Sequence, residues 1–302
     1  MAVITTGAHP AALWPGVESW FGLKYGEHPQ EWSRAFTVKT SNKKYEEQIE
    51  GTGFGLMPVK TEGGAIEYDS DQQGITQRYT HVAYAMGYIV TKEELDDNLY
   101  TEVSMARAER LAFSKNQTKE IVCWNVYNRA FSGSYTFGDG VSLINASHPT
   151  IGGNQSNILS PAADLSEAAL EDLDIQIAAA VNSRNLQIAL TGRQLIIPTA
   201  LKFEAARILK SVQQSGTANN DINALRSMGT YADPIVSHYL SDTDAWFVRT
   251  MVPGAGMTVF NRTEEGLSQD NDFDTYNAKA KTYMRFSVGC GDFRDIYGSA
   301  GA

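Results

Sequence analysis

The chain has 302 residues, enough for one large domain or two smaller ones, and 42% hydrophobic with 20% charged residues is the composition of a folded protein. The net charge of −10 argues against a surface built to bind nucleic acid, because such binding relies on lysine and arginine displacing counterions. No run of about 18 apolar residues occurs, so no membrane-spanning helix is predicted. Residues 1–17 lack the pattern of a signal peptide. The distant Cys123 and Cys290 favour two packed, reduced thiols in a cytoplasmic setting.

The first 43 residues are irregular but rich in aromatic side chains. Prolines and glycines break any helical or strand period, while a disordered tail would lack such aromatics. The pattern predicts an extended arm that buries its aromatics against another surface, for which a neighbouring subunit is a candidate. The aromatic residues concerned are Trp14, Trp20, Phe21, Tyr25, Trp32 and Phe36.

Residues 56–90 have β-type sequence. Residues 56–62 and 65–70 predict two strands around a Gly63-Gly64 turn. Both faces of this hairpin carry polar residues, so we expect it to rest on a partner, because an isolated two-stranded ribbon is marginally stable. Residues 79–90 then predict one longer strand whose alternate side chains share a face: Val82, Tyr84, Met86, Tyr88 and Val90.

A very long helix is predicted from residue 91 to about residue 131. Thr91 and Glu94 form a capping box at its start, and no proline or glycine follows within it. Forty-odd helical residues would reach about 60 Å, several times the usual length in globular proteins. A coiled coil is the weaker alternative, because no strict heptad holds. The proposed apolar stripe consists of Leu95, Leu99, Val103, Ala106, Phe113, Ile121, Trp124 and Phe131.

The remaining 170 or so residues mix short helices and strands. After a Gly/Ser/Asn-rich connection over 133–161, helices are predicted from Asp164 onwards and over 198–210. Short β segments are predicted over 186–190 and 194–197, a hairpin over 235–248, and a strictly alternating final strand over 279–288. The predicted fold class is therefore α+β.

The sequence offers no pattern that predicts catalysis. None of the five histidines, His9, His28, His81, His148 and His238, has a partner at metal-ligand helical spacing, so structural hydrogen bonds are the favoured interpretation. Residues 270–274 resemble the start of a calcium loop, but Thr275 and Lys281 stand where it needs glycine and glutamate. The glycine clusters at 51–55 and 254–256 are interpreted as flexible joints. No catalytic, cofactor-binding or metal site is predicted.

Several ordered segments carry a resemblance to a known family. They are Asp164-Leu165-Ser166, Ile197-Pro198 with the helix through Ala205, Ala206 and Leu209, Asn219-Asn220-Asp221-Ile222-Asn223, Tyr239-Leu240-Ser241-Asp242-Thr243-Asp244-Ala245-Trp246-Phe247, and Gly291-Asp292-Phe293-Arg294-Asp295-Ile296-Tyr297-Gly298. Their order and spacing, over most of the chain from about residue 54, resemble tailed-bacteriophage major capsid proteins of the Hong Kong 97-type fold, particularly the branch of Mu-like major head subunits.

The resemblance implies a division of the α+β chain into an arm, a loop and two domains. It implies an N-terminal arm over 1–42, and an extended loop and strand over 43–90 that overlie a neighbour. A peripheral domain with a long spine helix would take 91–160, to which the chain returns over 262–302. An axial domain over 161–261 would meet other copies at the capsomer axes.

The function implied by the resemblance is that of a major capsid protein. Such a protein is made in the host cytoplasm and assembles as pentamers and hexamers into the icosahedral shell of the virion around a double-stranded DNA genome. Its partners would be other copies of itself, a portal protein and DNA held non-specifically, with a separate scaffold and a cement protein as optional partners. Some relatives carry a removable N-terminal scaffolding region, for which this chain has no room. No membrane and no cofactor are implied.

Two alternatives remain open at this point. An encapsulin-type nanocompartment shell has a similar fold, although the proline- and tryptophan-rich N-terminus does not resemble an amphipathic cargo-docking helix. A soluble enzyme, the remote alternative, would need a convergent polar pocket.

Some relatives also join a loop lysine covalently to a distant asparagine. Lys60 is the one lysine within 56–78, and no catalytic carboxylate is identified for such a cross-link.

Overall fold

The structure is a computed structural model that describes residues 21–26, 29–96, 100–213, 221–231 and 233–302. Its helices are α1 (21–26), α2 (Trp32–Ala35), α3 (Lys92–Asp96), α4 (Tyr100–Asn128), α5 (Glu167–Ala178), α6 (Lys202–Lys210) and α7 (Ala224–Met228). Its strands are β1 (Thr37–Thr40), β2 (Tyr45–Gly51), β3 (Gln73–Thr80), β4 (Val82–Val90), β5 (His148–Thr150), β6 (Gly153–Gln155), β7 (Gln194–Pro198), β8 (Ile235–Ser237), β9 (Trp246–Arg249), β10 (Met257–Asn271), β11 (Ala278–Cys290) and β12 (Ile296–Ser299). The predicted α+β class is confirmed.

The first four-stranded sheet has the order β1-β10-β11-β4, in which only β1 and β10 run parallel. β10 and β11 form a long hairpin that pairs Met257 with Cys290 at one end and Asn271 with Ala278 at the other. The alternation predicted for the final strand is confirmed in β11, where buried Ala278 and Ala280 alternate with exposed Lys279 and Lys281. Successive side chains of a strand point to opposite faces, so one face of β11 is buried and the other is exposed at this end.

The second sheet, with the order β12-β9-β7-β8, is buried on both faces. Leu195 and Ile197 of β7 pack with α5, α6 and α7 on one side, while Ile196 packs with Trp124 and Tyr127 of α4 on the other. The hairpin predicted over 235–248 is wrong, because β7 lies between β8 and β9 and pairs with both. Turn residues at 241–244 suggested a direct pairing that the intervening strand prevents.

The described helices differ from the predictions mainly at their ends. Ser166 caps α5 by accepting a hydrogen bond from the Ala169 amide at 3.2 Å, close to the predicted start. A short 3-10 turn, Thr199–Leu201, precedes α6 in the segment predicted as one helix. At residue 91, Thr91 Oγ1 accepts from the Glu94 amide at 3.4 Å, but the Glu94 carboxylate pairs with Arg107 at 2.6 Å instead of closing the capping box.

The long spine is confirmed as α4, whose 29 residues span about 43 Å. Residues 97–99, and with them Leu99 of the predicted stripe, lie outside the described residues. The stripe itself is partly wrong, because Phe113 and Ile121 are about half exposed while a different face is buried. That buried face carries Ala108, Leu111, Ala112, Lys115, Asn116, Lys119, Glu120, Cys123, Trp124 and Tyr127. Four polar residues in its centre hid it from a hydrophobic pattern.

Aromatic residues before β1 cover the polar centre of α4. The Lys119 ammonium forms an ion pair with Glu264 of β10 at 3.1 Å and lies over the Trp32 ring, 4.6 Å from its centroid. The Glu120 carboxylate accepts hydrogen bonds from the Trp32 amide and the Trp124 indole, at 3.1 and 3.0 Å. Phe21, Trp32 and Phe36 are thus buried within their own chain. The neighbouring subunit named as a candidate is not needed for these three, and Trp14 and Trp20 lie outside the described residues.

Candidate subunit-assembly surface

An extended loop leaves the body of the molecule on a two-stranded ribbon. β2 and β3 form this ribbon, pairing Tyr45 with Thr80 and Ile49 with Thr76. The ribbon carries residues 52–72, which we call the loop tip. The strands predicted at 56–62 and 65–70 are wrong, because the tip contains a turn but no strand. The single strand predicted over 79–90 is likewise divided at His81 into β3 and β4.

Carboxylates hold the base of the loop tip where a strand ladder was predicted. Asp71 accepts from the Gly53 amide at 2.8 Å, and Asp69 accepts from the Gly55 amide at 2.8 Å. Local side-chain bonds to the backbone of this kind compete with strand pairing. The hydrogen bond from Gly55, followed by those from Ser70 and Arg184, lowers the pKa of Asp69. These hydrogen bonds fix the backbone of the loop tip without burying its apolar side chains in a core.

The loop tip exposes large apolar side chains. Met57 and Val59 are 97% and 96% exposed. The full set is Phe54, Leu56, Met57, Val59, Ile66 and Tyr68. From the sequence we predicted a hairpin with polar residues on both faces, and its apolar residues were not recognised as an exposed set. Exposed apolar side chains clustered on one projecting loop are typical of a protein–protein contact.

Two arginines anchor the extended loop to the rest of its own chain. Arg184 Nη1 lies 2.7 Å from Asp69 Oδ2, and Nη2 of the same side chain donates a hydrogen bond to the Ser70 carbonyl. Buried Arg294 donates to Glu50 Oε1 of β2 at 3.0 Å and to Ser183 Oγ at 3.1 Å. The extended loop is therefore attached at its tip and at its strands, and its direction from the body is set by the residues after α5.

The root of the extended loop is a buried hydrogen-bonded cluster. Ser41, between β1 and β2, donates to Glu46 at 2.7 Å, so it accepts from His81 Nε2 at 3.0 Å. His81 Nδ1 then accepts from Ser287 of β11 at 3.0 Å. The cluster ties the outgoing and returning chain to the first sheet. Burial, together with Arg285 and Arg262, lowers the pKa of His81.

The His81 cluster predicts a pH-dependent stability. A histidine with a lowered pKa in the folded state binds protons more tightly when unfolded, so the fold loses stability as pH falls through 6.5, the ordinary value. In His81→Gln the fall in unfolding free energy between about pH 8 and about pH 5 should be smaller than in the wild type, measured by urea unfolding. Ser287→Ala, which keeps the imidazole, should lose stability at both pH values and retain the pH dependence. Equal slopes for His81→Gln and the wild type would contradict the assignment.

The other described histidines make the structural hydrogen bonds that the sequence predicts. His148 lies between Asp139 and Asn157, with its ring stacked on Phe293 at 4.1 Å. Exposed His238 contacts Glu31. His9 and His28 lie outside the described residues. Across the described ranges, no group of three or more His, Cys, Asp and Glu side chains is arranged to hold a metal ion.

The two glycine clusters lie where the chain leaves a strand or passes close to another side chain. Residues 51–55 lead from β2 into the loop tip. At Gly256 a Cβ atom would stand 2.5 Å from the Asp295 carboxylate, so this position is a close approach and not the flexible joint that we predicted. The acidic segment 270–274 contains the end of β10 and the start of the turn to β11, and its Asp272 pairs with Lys279 at 2.7 Å. The described helices include none with the length and apolar character of a membrane span.

Comparison with known proteins identifies the family. The family model described as phage capsid protein matches residues 74–299, which is more than half of the chain. The chain belongs to the phage capsid protein family. The matched range includes nearly all of β3, the second four-stranded sheet, α4, and the first four-stranded sheet apart from β1, but not the loop tip. No curated protein matches the sequence of this capsid protein significantly.

Solved structures share the fold of this capsid protein. The capsid of a native GTA particle matches with a TM-score of 0.58 and 13% identity, over 91% of each chain. A structure from Mycobacterium phage Adephagia matches with a TM-score of 0.53 and 12% identity, over 91% of each chain. A virus-like particle from Pyrococcus furiosus matches with a TM-score of 0.51 and 12% identity, over 95% of this chain and 99% of the other.

These similarities confirm the Hong Kong 97-type capsid fold that the sequence segments resemble. The particle from Pyrococcus furiosus shows that this fold alone does not separate a phage head from other shells. The family match favours a phage major capsid protein over the encapsulin alternative. The protein is therefore a structural subunit of a virion capsid.

Proposed function

We propose that this capsid protein assembles as pentamers and hexamers into an icosahedral shell around a double-stranded DNA genome. The observation that carries the proposal is the extended loop, which projects from the body on β2 and β3 and exposes six large apolar side chains. Burying them against a neighbouring copy would contribute about 25 cal/mol per Å² of apolar area. Each contact recurs around a closed symmetric shell, so modest contacts add up to stable assembly.

The proposed division of labour follows the domains implied by the resemblance. Residues 1–42 serve as arm, 43–90 as extended loop and strand, 91–160 with 262–302 as peripheral domain, and 161–261 as axial domain. The position of α4 against β11, which the chain supplies after residue 262, supports the two-part peripheral domain. The core that joins α5, α6 and α7 to the second sheet supports an axial unit, to which β12 adds an edge strand and Tyr297 from the last residues of the chain.

The other proposed partners are a portal protein and the packaged DNA, with a separate scaffold and a cement protein as optional additions. The net charge of −10 supports loose, non-specific contact with DNA, since tight phosphate binding would need an excess of basic residues. We propose synthesis in the host cytoplasm before incorporation in the virion, and a purely structural role without catalysis. The structural hydrogen bonds of the described histidines support that role.

Assembly and the part played by the loop tip can be tested together. The purified wild-type chain should sediment as megadalton particles, or as pentamers and hexamers that convert to them. Replacing residues 56–68 by a short Gly-Ser linker should preserve the circular dichroism spectrum and abolish closed shells. The replaced stretch ends before Asp69 because Asp69, Asp71 and β3 hold the loop to the body.

A matched control separates apolar contact from charge. Glu62→Ala with Glu67→Ala removes two carboxylates of the tip and leaves its apolar side chains, so shells should still form, because exposed pairs contribute only about 0.2–1 kcal/mol. A wild-type chain that remains monomeric under all salt and crowding conditions would sink the proposed function. Normal particles from the Gly-Ser variant would instead show that shell assembly does not need the loop tip.

We also expect no covalent cross-link between subunits. Lys60 is the one lysine within 56–78, and it would need a distant asparagine and a catalytic carboxylate in an apolar pocket on a neighbouring copy. Particles boiled in detergent should run on a denaturing gel as a single band near 33.1 kDa. A ladder of multimers that disappears in Lys60→Arg would refute this expectation.

A further inference from the structure

Helix α5 presents an acidic and apolar face to solvent. Glu171, Asp172 and Ile175 lie on the side of the helix opposite to buried Leu170, Leu173 and Ile177, and Ile175 is 68% exposed. No lysine or arginine occurs anywhere between residues 161 and 183. Within the described residues, neither Glu171 nor Asp172 has a basic partner. We call Glu171, Asp172 and Ile175 the acidic face.

Helices α6 and α7 present the opposite combination of charge and apolar surface. Lys202, Phe203 and Lys210 lie on the exposed side of α6, and Arg226 and Met228 are exposed on α7. Phe203 is 71% exposed and Met228 is 68% exposed. In the part of the chain that the structure describes, Lys202, Lys210 and Arg226 form no ion pair, whereas Arg207 pairs with Glu204. We call these five residues, Lys202, Phe203, Lys210, Arg226 and Met228, the basic face.

The two faces are carried by different helices that pack on one side of the second sheet. Helix α5 contacts β12, which forms one edge of that sheet. Helix α6 follows β7 through the 3-10 turn, and β7 adjoins β8 at the other edge. The two faces are different patches of opposite charge, so each complements the other and repels a second copy of itself. They are suited to a head-to-tail contact, which closes into a ring when the rotation between copies allows it.

We propose that neighbouring subunits of one ring meet through these surfaces, the acidic face of one copy packing on the basic face of the next. This inference rests on the proposed function and deepens it by naming the contact within pentamers and hexamers. Ile175 would pack against Phe203 and Met228, while the carboxylates meet the unpaired ammonium and guanidinium groups. Complementary charge steers such encounters and fixes the register of the contact. The occupant is a second copy, because the chain itself carries both halves.

The acidic residues of α5 also repel one another in the isolated subunit. Burial and the nearby Glu171 carboxylate raise the pKa of Glu167 at the start of the helix. A basic surface from a neighbouring copy would relieve this repulsion. The effect supports the inference, whose basis is the geometry of the two faces.

Charge reversal of each face is the first part of the test. Glu171→Lys with Asp172→Lys, and separately Lys202→Glu with Lys210→Glu, should raise the concentration needed for assembly by at least about tenfold, because attraction becomes repulsion at every ring contact. The charge-preserving controls, Glu171→Asp with Asp172→Glu and Lys202→Arg with Lys210→Arg, should assemble like the wild type. Circular dichroism and thermal unfolding verify that each variant is folded.

Complementation is the second part, measured by analytical ultracentrifugation and electron microscopy. The two reversed variants mixed in equal amounts should form rings only by alternation, so hexamers should appear without pentamers and closed shells should be absent. The chain with all four reversals has both faces exchanged, and it should recover closed shells. Wild-type assembly by both reversed variants, or no recovery in the four-fold variant, would overturn the inference and leave the proposed function intact. A wild-type chain that forms no oligomer would overturn both.

Discussion

Asp295→Ala should lower the free energy of unfolding by about 3–5 kcal/mol, because it leaves a buried arginine without its counterion. Asp295 is fully buried and accepts from Arg249 Nη2 at 2.8 Å and from the Met257 amide at 2.7 Å. Arg249 also donates to the Ala35 carbonyl at 2.8 Å. The pair therefore joins the second sheet, the start of β10 and the segment before β1. Urea unfolding of the unassembled subunit measures the change.

The control for Asp295 is an exposed ion pair on the same chain. Arg34 and Asp233 lie 2.7 Å apart with side chains that are 49% and 87% exposed. Asp233→Ala should therefore change the free energy of unfolding by no more than about 1 kcal/mol. Similar losses in the two variants would mean that the Arg249–Asp295 pair does not hold the sheets together.

Ala112→Pro should destabilise the subunit by about 3 kcal/mol or more and prevent shell assembly. Proline removes the hydrogen bond to the carbonyl of Ala108 and its ring clashes with the preceding turn of α4. Ala112 is fully buried in the core that includes Phe21, Leu267 and Ala278, so the distortion cannot be relieved into solvent. Circular dichroism, urea unfolding and electron microscopy of the product follow the loss.

A graded control tests whether the backbone of α4 causes the effect. Ala112→Gly keeps the hydrogen bond and should cost only about 1 kcal/mol. Ala65→Pro, in the loop tip, introduces proline where the structure has no helix or strand, and the subunit should remain folded. Normal shells from Ala112→Pro would show that the helix does not require continuity at this residue.

The outcomes for α4 show why a helix was predicted while its buried face was not. The absence of proline and glycine is a local property of the chain, and it predicts helix without reference to any other segment. Burial of Lys119 and Glu120 depends on Glu264, about 145 residues away, and on Trp32. Those partners replace the hydration that the two charges lose on burial. Because the partners lie elsewhere in the chain, the hydrophobic pattern of the helix alone cannot predict this burial.

The sequence predicted where the candidate assembly surface lies in the chain, but not that its exposed side chains are apolar. Gly63-Gly64 and the flanking charges indicated a projecting hairpin, and the structure places a projecting loop there. Its strands, β2 and β3, lie before and after the predicted positions in the chain, because Asp69 and Asp71 accept hydrogen bonds from backbone amides within the tip. Its exposed apolar side chains became meaningful only when the structure showed that no core of the same chain covers them.

The sequence by itself determined the α+β class, the approximate start of α5, the presence of the long helix α4, the alternation of β11 and the family resemblance. Each of these depends on residues close together in the chain, or on their order. Only the tertiary structure decided that β7 separates β8 from β9, that Gly256 must make room for Asp295, and that Lys119 and Glu120 of α4 are buried. These features arise from pairing and packing between distant segments, which local sequence patterns do not encode.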